Sequence, residues 1–321
     1  MNFELILPFL RPIEPLLLDE SISEIMGNPD ASWWYERDGI IHREKTISFA
    51  AGKLRTGLEV IANQLGKRLD EDNPILHAQL PDGSRLAAVI APVVRLTPAL
   101  IIRKFTSRHY TVDDLIARGT LTRPLADFLA EQIRNGKTLL ISGGTGTGKT
   151  TLLRILADFI PDHDRIVVIE DTSELQIQKP NILAVECQTD TFKANITFDD
   201  LLKSALRWRP DRIILGEVRG IEARTLLDSF NTGHAGSLAT IHANSAEKAL
   251  HRFANLVMRN HAQTTFSDTE AEIGEAVDFV VHVDRQPGRR IVREVLALRG
   301  YDRDAKRFLI DPVFEVKHAT T

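Results

Sequence analysis

Cysteine is almost absent from the chain: Cys187 stands alone among 321 residues. No disulfide forms within the chain, which suits a reducing compartment, and the thiol reads as a small buried hydrophobe. Basic excess is also missing. Lys plus Arg number 40 against 44 Asp plus Glu, a formal charge of -4. Neutralising phosphates drives nucleic-acid binding, so direct binding to DNA or RNA is not expected. Long apolar runs are missing too, and no stretch reaches the length of a membrane-spanning helix. The first apolar run, Met1 to Leu10, is broken by Pro8 and preceded by no basic residue, so it does not read as a signal peptide. These absences point to a cytoplasmic protein whose membrane association, if any, is peripheral.

What is present is a globular composition, 43% hydrophobic and 26% charged, with length enough for two domains. Two patterns divide the chain. In the first half, Ile13 to Met26 mixes helical spacing with a Ser21-x-x-Glu24 capping signal. Trp33 to Arg37, followed by Asp38-Gly39, reads as a strand entering a hairpin. Leu54, Leu58, Ile61, Ala62 and Leu65 recur at helical spacing. Ile75–Leu80 and Arg85–Ile90 flank Pro81-Asp82-Gly83 as a second hairpin, and Ile101–Phe105 reads as another strand. This gives an N-terminal α+β domain over 1–106 and a linker over 107–120, in which Thr111-x-x-Asp114 caps a short helix. A domain over 121–321 follows.

That second domain opens with a helix from about Arg123 to Gly136, and then its pattern alternates. Apolar strands are expected at 139–141, 166–169, 213–215 and 238–241. Helices are expected at 151–159, 198–208, 223–230 and 246–258, the last capped by Asn244. Four short apolar strands alternating with helices indicate a three-layer α/β core with a mostly parallel sheet.

Gly143-Gly144-Thr145-Gly146-Thr147-Gly148-Lys149-Thr150 fits the P-loop pattern, with an apolar strand before it and a helix opening at Thr151 after it. Glycines permit the torsions that turn successive N–H groups toward phosphate oxygens, and the helix adds its own free N–H groups and positive dipole end. Lys149 supplies a charge for the β- and γ-phosphates, and the Thr150 hydroxyl a ligand for Mg²⁺. Carboxylates at neighbouring strand ends supply what a phosphate grip alone lacks. Glu217 ends the strand Arg212–Gly216, where a carboxylate orients water and takes its proton. Glu170, Asp171 and Glu174 follow the strand 165–169. Either Mg²⁺ offsets their repulsion, or Glu170 and Asp171 cap a loop and only Glu174 faces the site. Gly233 to Asn244 carries His234 and His242. Thr240 and His242, two apart, share a strand face, and His242 is placed to sense a γ-phosphate.

These segments, in order, resemble the hexameric secretion and conjugal-transfer traffic ATPases of type IV secretion, conjugation, type II secretion and type IV pili. The family's Walker A loop looks like Gly143–Thr150, its Asp box like Ile169–Glu174, its Walker B segment like Ile213–Glu217 and its His box like Gly233–His242. Leu206-Arg-Trp-Arg-Pro-Asp-Arg-Ile-Ile-Leu-Gly-Glu-Val-Arg219 is particularly close. The likeness reaches the first half through Asn73-Pro-Ile-Leu76, Pro81-Asp-Gly-Ser-Arg85 and Ile102-Arg-Lys-Phe105. It implies a RecA-like P-loop ATPase domain behind the N-terminal domain, with ATP and Mg²⁺ as cofactors. Glu217 would be the catalytic carboxylate, assisted by Glu174, with Thr150, Glu174 and Glu217 at the metal. The nucleotide site would comprise Gly143 to Thr151 and His242, with Arg85 and Arg103 reaching the phosphates from the N-terminal domain. A homohexamer working with inner-membrane secretion or pilus proteins is also implied. The short first domain and the lack of a four-cysteine zinc motif favour the conjugal-transfer (TrbB-type) or type IV secretion branch. A tight-adherence pilus ATPase and, further off, a nucleic-acid translocase or a nucleotide-gated scaffold are the alternatives.

Overall fold

The structure, a computed structural model, describes residues 6–316 apart from 38, 106–109, 189–194, 260–263 and 287–288. The chain divides into two compact units, Met1–His109 and Tyr110–Thr321. No helix among the described residues is long and apolar enough to cross a membrane.

The first described elements of the first unit are two 3-10 turns and the short helix α1 (Glu14–Leu18). Strands β1 (Ile22–Gly27), β2 (Trp33–Arg37) and β3 (Ile40–Glu44) precede helix α2 (Lys53–Gln64). Strands β4 (Ile75–Gln79), β5 (Arg85–Val89) and β6 (Ala99–Arg103) follow. They form one antiparallel sheet in the order β3-β2-β1-β6-β5-β4. Alternation along β4, β5 and β6 buries Leu76, Ala78, Leu86, Ala88, Leu100 and Ile102 beneath α2, which contributes Leu54, Leu58, Ile61 and Ala62. Both expected hairpins form, although Asp38 lies outside the described residues. The helical reading of 13–26 is corrected: the helix stops at Leu18 and a strand starts at Ile22. Ser21 donates to the Asp19 carboxylate in a local turn and caps no helix.

The second unit is a three-layer α/β structure. Its elements are α3 (Val112–Ala117), α4 (Arg123–Arg134), β7 (Leu139–Gly143), α5 (Lys149–Ala157), β8 (Ile166–Glu170) and β9 (Ile182–Glu186). Then come α6 (Phe198–Ala205), β10 (Arg212–Val218), α7 (Glu222–Asn231), β11 (Leu238–His242), α8 (Ala246–Met258) and α9 (Phe266–Ala276). Strands β12 (Phe279–Gln286), β13 (Arg289–Asp302) and β14 (Arg307–Glu315) are the last described elements. The sheet order is β14-β13-β12-β7-β11-β10-β8-β9. The six strands from β12 to β9 run parallel, and β13 and β14 add an antiparallel extension. Strands β7 and β8 are buried along their whole length, as expected of parallel strands covered on both faces. Helices α3, α4 and α5 close one core, and α6 to α9 the other.

Local signals set the helix boundaries. Thr111 with Asp114, and Thr197 with Asp200, form complete capping boxes for α3 and α6. Pro124 occupies the first turn of α4. Ser245 caps α8 in place of the expected Asn244, accepting from the Lys248 N–H. Leu115 of α3 is buried in the second core, so the part of 107–120 that is described belongs to the second unit. Cys187 is buried, and burial pushes its thiol up to about 11.

Candidate active site

The site lies at the carboxyl ends of the parallel strands. The loop between β7 and α5 needs glycine at two positions for separate reasons. A Cβ on Gly143 would stand 2.4 Å from the Val283 carbonyl oxygen. Gly148 caps α5 with φ 92°, a torsion that side-chain-bearing residues avoid. Lys149 is the first residue of α5 and is only 7% exposed. Its Nζ donates to the Gly144 carbonyl at 2.8 Å, and Thr147 Oγ1 donates to the same oxygen at 3.0 Å. Thr150 and Thr151 lie half-buried in the first turn.

From Lys149 a chain of polar contacts crosses three strand ends. His242 ends β11 opposite Gly143. Its Nδ1 lies 3.4 Å from Lys149 Nζ, and its Nε2 2.9 Å from Glu217 Oε1. Lysine only donates and a carboxylate only accepts, which assigns the neutral tautomer with the proton on Nε2. Burial, and then the Lys149 charge, hold His242 below its ordinary pKa and keep that tautomer at neutral pH. Glu217 Oε2 accepts from Arg219 Nη2 at 2.7 Å, and Arg219 Nη1 donates to Asp171 Oδ2 at 2.9 Å. The Glu217 hydrogen bond is the main reason the Arg219 pKa is raised.

Glu217 is aimed by a bulge. Between Leu215 and Val218, β10 advances three residues while β11 advances two, so Gly216 and Glu217 leave the regular ladder. Thr240 Oγ1 donates to the freed Gly216 carbonyl at 2.5 Å. Gly216 also makes room for Glu170, whose Cγ would lie 3.3 Å from a Cβ there.

The three acids after β8 do different things. Glu170 is 4% exposed, and its Oε1 accepts from the N–H groups of Glu174 and Leu175. Burial lifts it to about 7 despite those bonds. It therefore shapes the loop. Asp171 pairs with Arg219, and Glu174 sits half-buried on the loop that Glu170 holds.

An open cleft of about 470 Å³ adjoins the loop, lined by Gly144, Thr145, His242, Ala243, Asn244, Lys248 and Arg252. Lys248 and Arg252 were not among the residues singled out from the sequence. Their spacing of four, which puts them on one face of α8, was the available signal. Arg219 follows directly after β10, two residues beyond Glu217, and that spacing was its available signal.

His234 is not part of this cluster. It precedes β11, at the opposite end of that strand from His242, and its Nδ1 lies 3.2 Å from the Ser229 carbonyl. Arg212 lies at that far end too, 2.7 Å from Asp164 in a buried pair. Its guanidinium fills the space where Gly236 would carry a Cβ, 1.4 Å from that position. Arg85 and Arg103 are register partners on β5 and β6, on the face of the first unit's sheet away from its core.

Among the described residues no three carboxylate, imidazole or thiol groups gather closely enough to cage a metal ion. A P-loop needs no such cage, because Mg²⁺ takes one or two protein oxygens, water and the substrate phosphates.

Residues 10–296 match the model of a family described as type II/IV secretion system protein. The chain belongs to that family. It is 38% identical over 289 residues to the conjugal transfer protein TrbB of Rhizobium radiobacter, covering 88% of this chain and 85% of that protein. It is 32% identical to the type IV secretion system protein VirB11 of Bartonella quintana, covering 91% and 92%. Among solved structures, the VirB11 ATPase of Brucella suis, crystallised with sulphate, aligns with a TM-score of 0.51 at 27% identity, over 91% of this chain and 94% of that one. The Legionella pneumophila ATPase DotB aligns with a TM-score of 0.64 at 18% identity, over 90% and 80%, a likeness of fold. The secretion-family chain is an ATPase, with a RecA-like second unit.

Proposed function

We propose that this ATPase is a Mg²⁺-dependent, ring-forming motor that drives conjugal transfer or type IV secretion at the cytoplasmic face of the inner membrane. The observation that carries the reading is the run of contacts Lys149–His242–Glu217–Arg219–Asp171. It joins the phosphate loop to a carboxylate on a bulge, which a phosphate-binding module without turnover does not require. The names of the TrbB and VirB11 relatives supply the transfer and secretion context.

In this reading the N–H groups of 143–151 hold the phosphates. Lys149 leaves the Gly144 carbonyl for the β- and γ-phosphates, and His242 senses the γ-phosphate. Glu217 aligns the attacking water and accepts its proton, with Glu174 beside it. Thr150, Glu174 and Glu217 are all oxygen donors, the chemistry a hard cation requires. Mg²⁺ would supply charge neutralisation on the phosphates. Glu217 has both oxygens engaged by His242 and Arg219, an arrangement suited to contact with the ion through water. Arg85 and Arg103 would bring positive charge from the first unit, so that turnover moves one unit against the other. Six copies would form the ring, docked peripherally on secretion or pilus proteins.

The test is light scattering and ATP turnover on one preparation. Mg²⁺ and a non-hydrolysable ATP analogue should give a hexamer, and EDTA should abolish turnover. A monomer under all nucleotide conditions would refute the ring, and turnover in EDTA would refute the metal.

A further inference from the structure

Strand β12 runs parallel to β7, with Val283 opposite Gly143, and continues past the sheet's carboxyl edge before β13 returns antiparallel. The β12–β13 hairpin therefore stands beside the phosphate loop. Two observations there are unexplained by the sheet itself. Arg285 and Arg290 are register partners. Like charges directly opposite each other destabilise a ladder and are tolerated where negative charge gathers nearby. Second, Arg290 is exposed, yet it reaches the loop: its Nε donates to the Gly146 carbonyl at 3.1 Å. Its Cδ lies 3.1 Å from where a Cβ on Gly148 would be. Arg285 Nη1 lies 3.4 Å from the same position on Gly146. Gly148 thus serves twice, for its torsion and for the arginine stem.

We infer that the β12–β13 hairpin braces the phosphate loop and that Arg290 is a positioning residue for nucleotide binding. In a trans peptide the C=O and the following N–H point in opposite directions. Holding the Gly146 carbonyl on the hairpin side aims the Thr147 N–H toward the other side of the loop, where a phosphate would sit. A cation on that carbonyl also polarises the peptide and strengthens its N–H as a donor. Arg290 acts through the loop and needs no contact with the nucleotide. Its effect falls on the bound polyphosphate in ADP and ATP alike, and not on the bond-breaking step. The inference rests on the reading of residues 143–150 as the phosphate site.

The test compares Arg290→Ala, Arg290→Lys and Arg289→Ala in the full chain, measuring Kd for ADP and for a non-hydrolysable ATP analogue, together with kcat at saturation. Arg289 lies on the same hairpin, but its Nε donates to Gln286, so it controls for loss of hairpin charge. Arg290→Ala should weaken both nucleotides about tenfold, the scale of one charge-assisted hydrogen bond, with kcat within about twofold. Arg290→Lys, which keeps the charge and loses the Nε donor, should fall between Ala and the parent, and Arg289→Ala should bind as the parent does. Unchanged Kd in Arg290→Ala, equal weakening in Arg289→Ala, or a loss confined to kcat would each overturn the brace. Should Arg290→Ala fail to fold, parental affinity in Arg290→Lys would overturn it. A parent chain that binds neither nucleotide would instead bring down the phosphate-site reading.

Discussion

The two ends of the parallel sheet carry the same residue types and use them oppositely. At the carboxyl edge, Lys149, His242, Glu217, Arg219 and Asp171 form a chain of contacts beside an open cleft. At the amino edge, Arg212 is locked to Asp164, and its guanidinium occupies the space that Gly236 leaves free. One arginine aims a carboxylate that keeps its reach. The other is spent on packing. Strand direction decides which is which, because loops leaving the carboxyl ends of a parallel sheet converge on one crevice.

This contrast makes stability and turnover separable. The largest effect on stability is expected at the amino edge. Arg212→Ala leaves Asp164 buried without its cation and should cost about 3–5 kcal/mol of unfolding free energy in urea melts. Turnover per folded molecule should stay near the parent's value, and a specific loss of turnover would blur the comparison.

Next is Glu170, which belongs to the carboxyl edge but behaves as a structural group. Its folded pKa, about 7, lies above the ordinary 4.5. Its stabilising contribution is therefore complete below 4.5 and lost as pH rises through 7. Glu170→Gln keeps an oxygen for the Glu174 and Leu175 N–H groups and never ionises. It should be more stable than the parent by about 3 kcal/mol at pH 8.5 and no more stable at pH 4.5, as read by thermal melts. An advantage that does not depend on pH would contradict the assignment.

The smallest difference sharpens the histidines. His242→Asn should lower kcat by about tenfold, because Glu217 loses one of the two donors that orient it. His234→Asn should change kcat less than twofold, since that ring lies beside Ser229 at the other end of β11. Equal losses would mean that His234 reaches a site by a route outside this chain's own cluster.

Much of this architecture was legible in the sequence, and the failures have physical causes. The bounds of α8 and the strand cores of β7, β8, β10 and β11 follow from apolar period and stop residues. The stretch 13–26 misled because β1 carries an irregularity between Ile22 and Glu24, which places the buried Ile22 and Ile25 three apart, a helical interval. Helix α9 buries Thr269, Glu270 and Gly274 along with Ala271, Ile273 and Ala276, so polar and small residues interrupt its apolar stripe. Strand β9 is a half-buried edge whose burial never alternates cleanly. Phe279, Val280, Val281 and Val283 were readable as a strand, but the return of β13 antiparallel to β12 beside the phosphate loop was not marked by any motif.

At the site, Lys149, Glu217 and His242 were legible because motif spacing places Lys149 at a helix start and the other two at strand ends. His234 was grouped with His242 by proximity in sequence, whereas the length of β11 separates them. Arg219 and Arg290 were not singled out because their roles depend on a bulge and a hairpin.

The most direct test of the account is ATP turnover by Glu217→Gln, measured beside its nucleotide affinity. The carboxylate is read as taking a proton from water, a role glutamine cannot fill, while the phosphates are held by other groups. Turnover should fall by about 10²–10⁴-fold with Kd for ATP within about threefold of the parent. Near-parental turnover in this variant would contradict the central assignment.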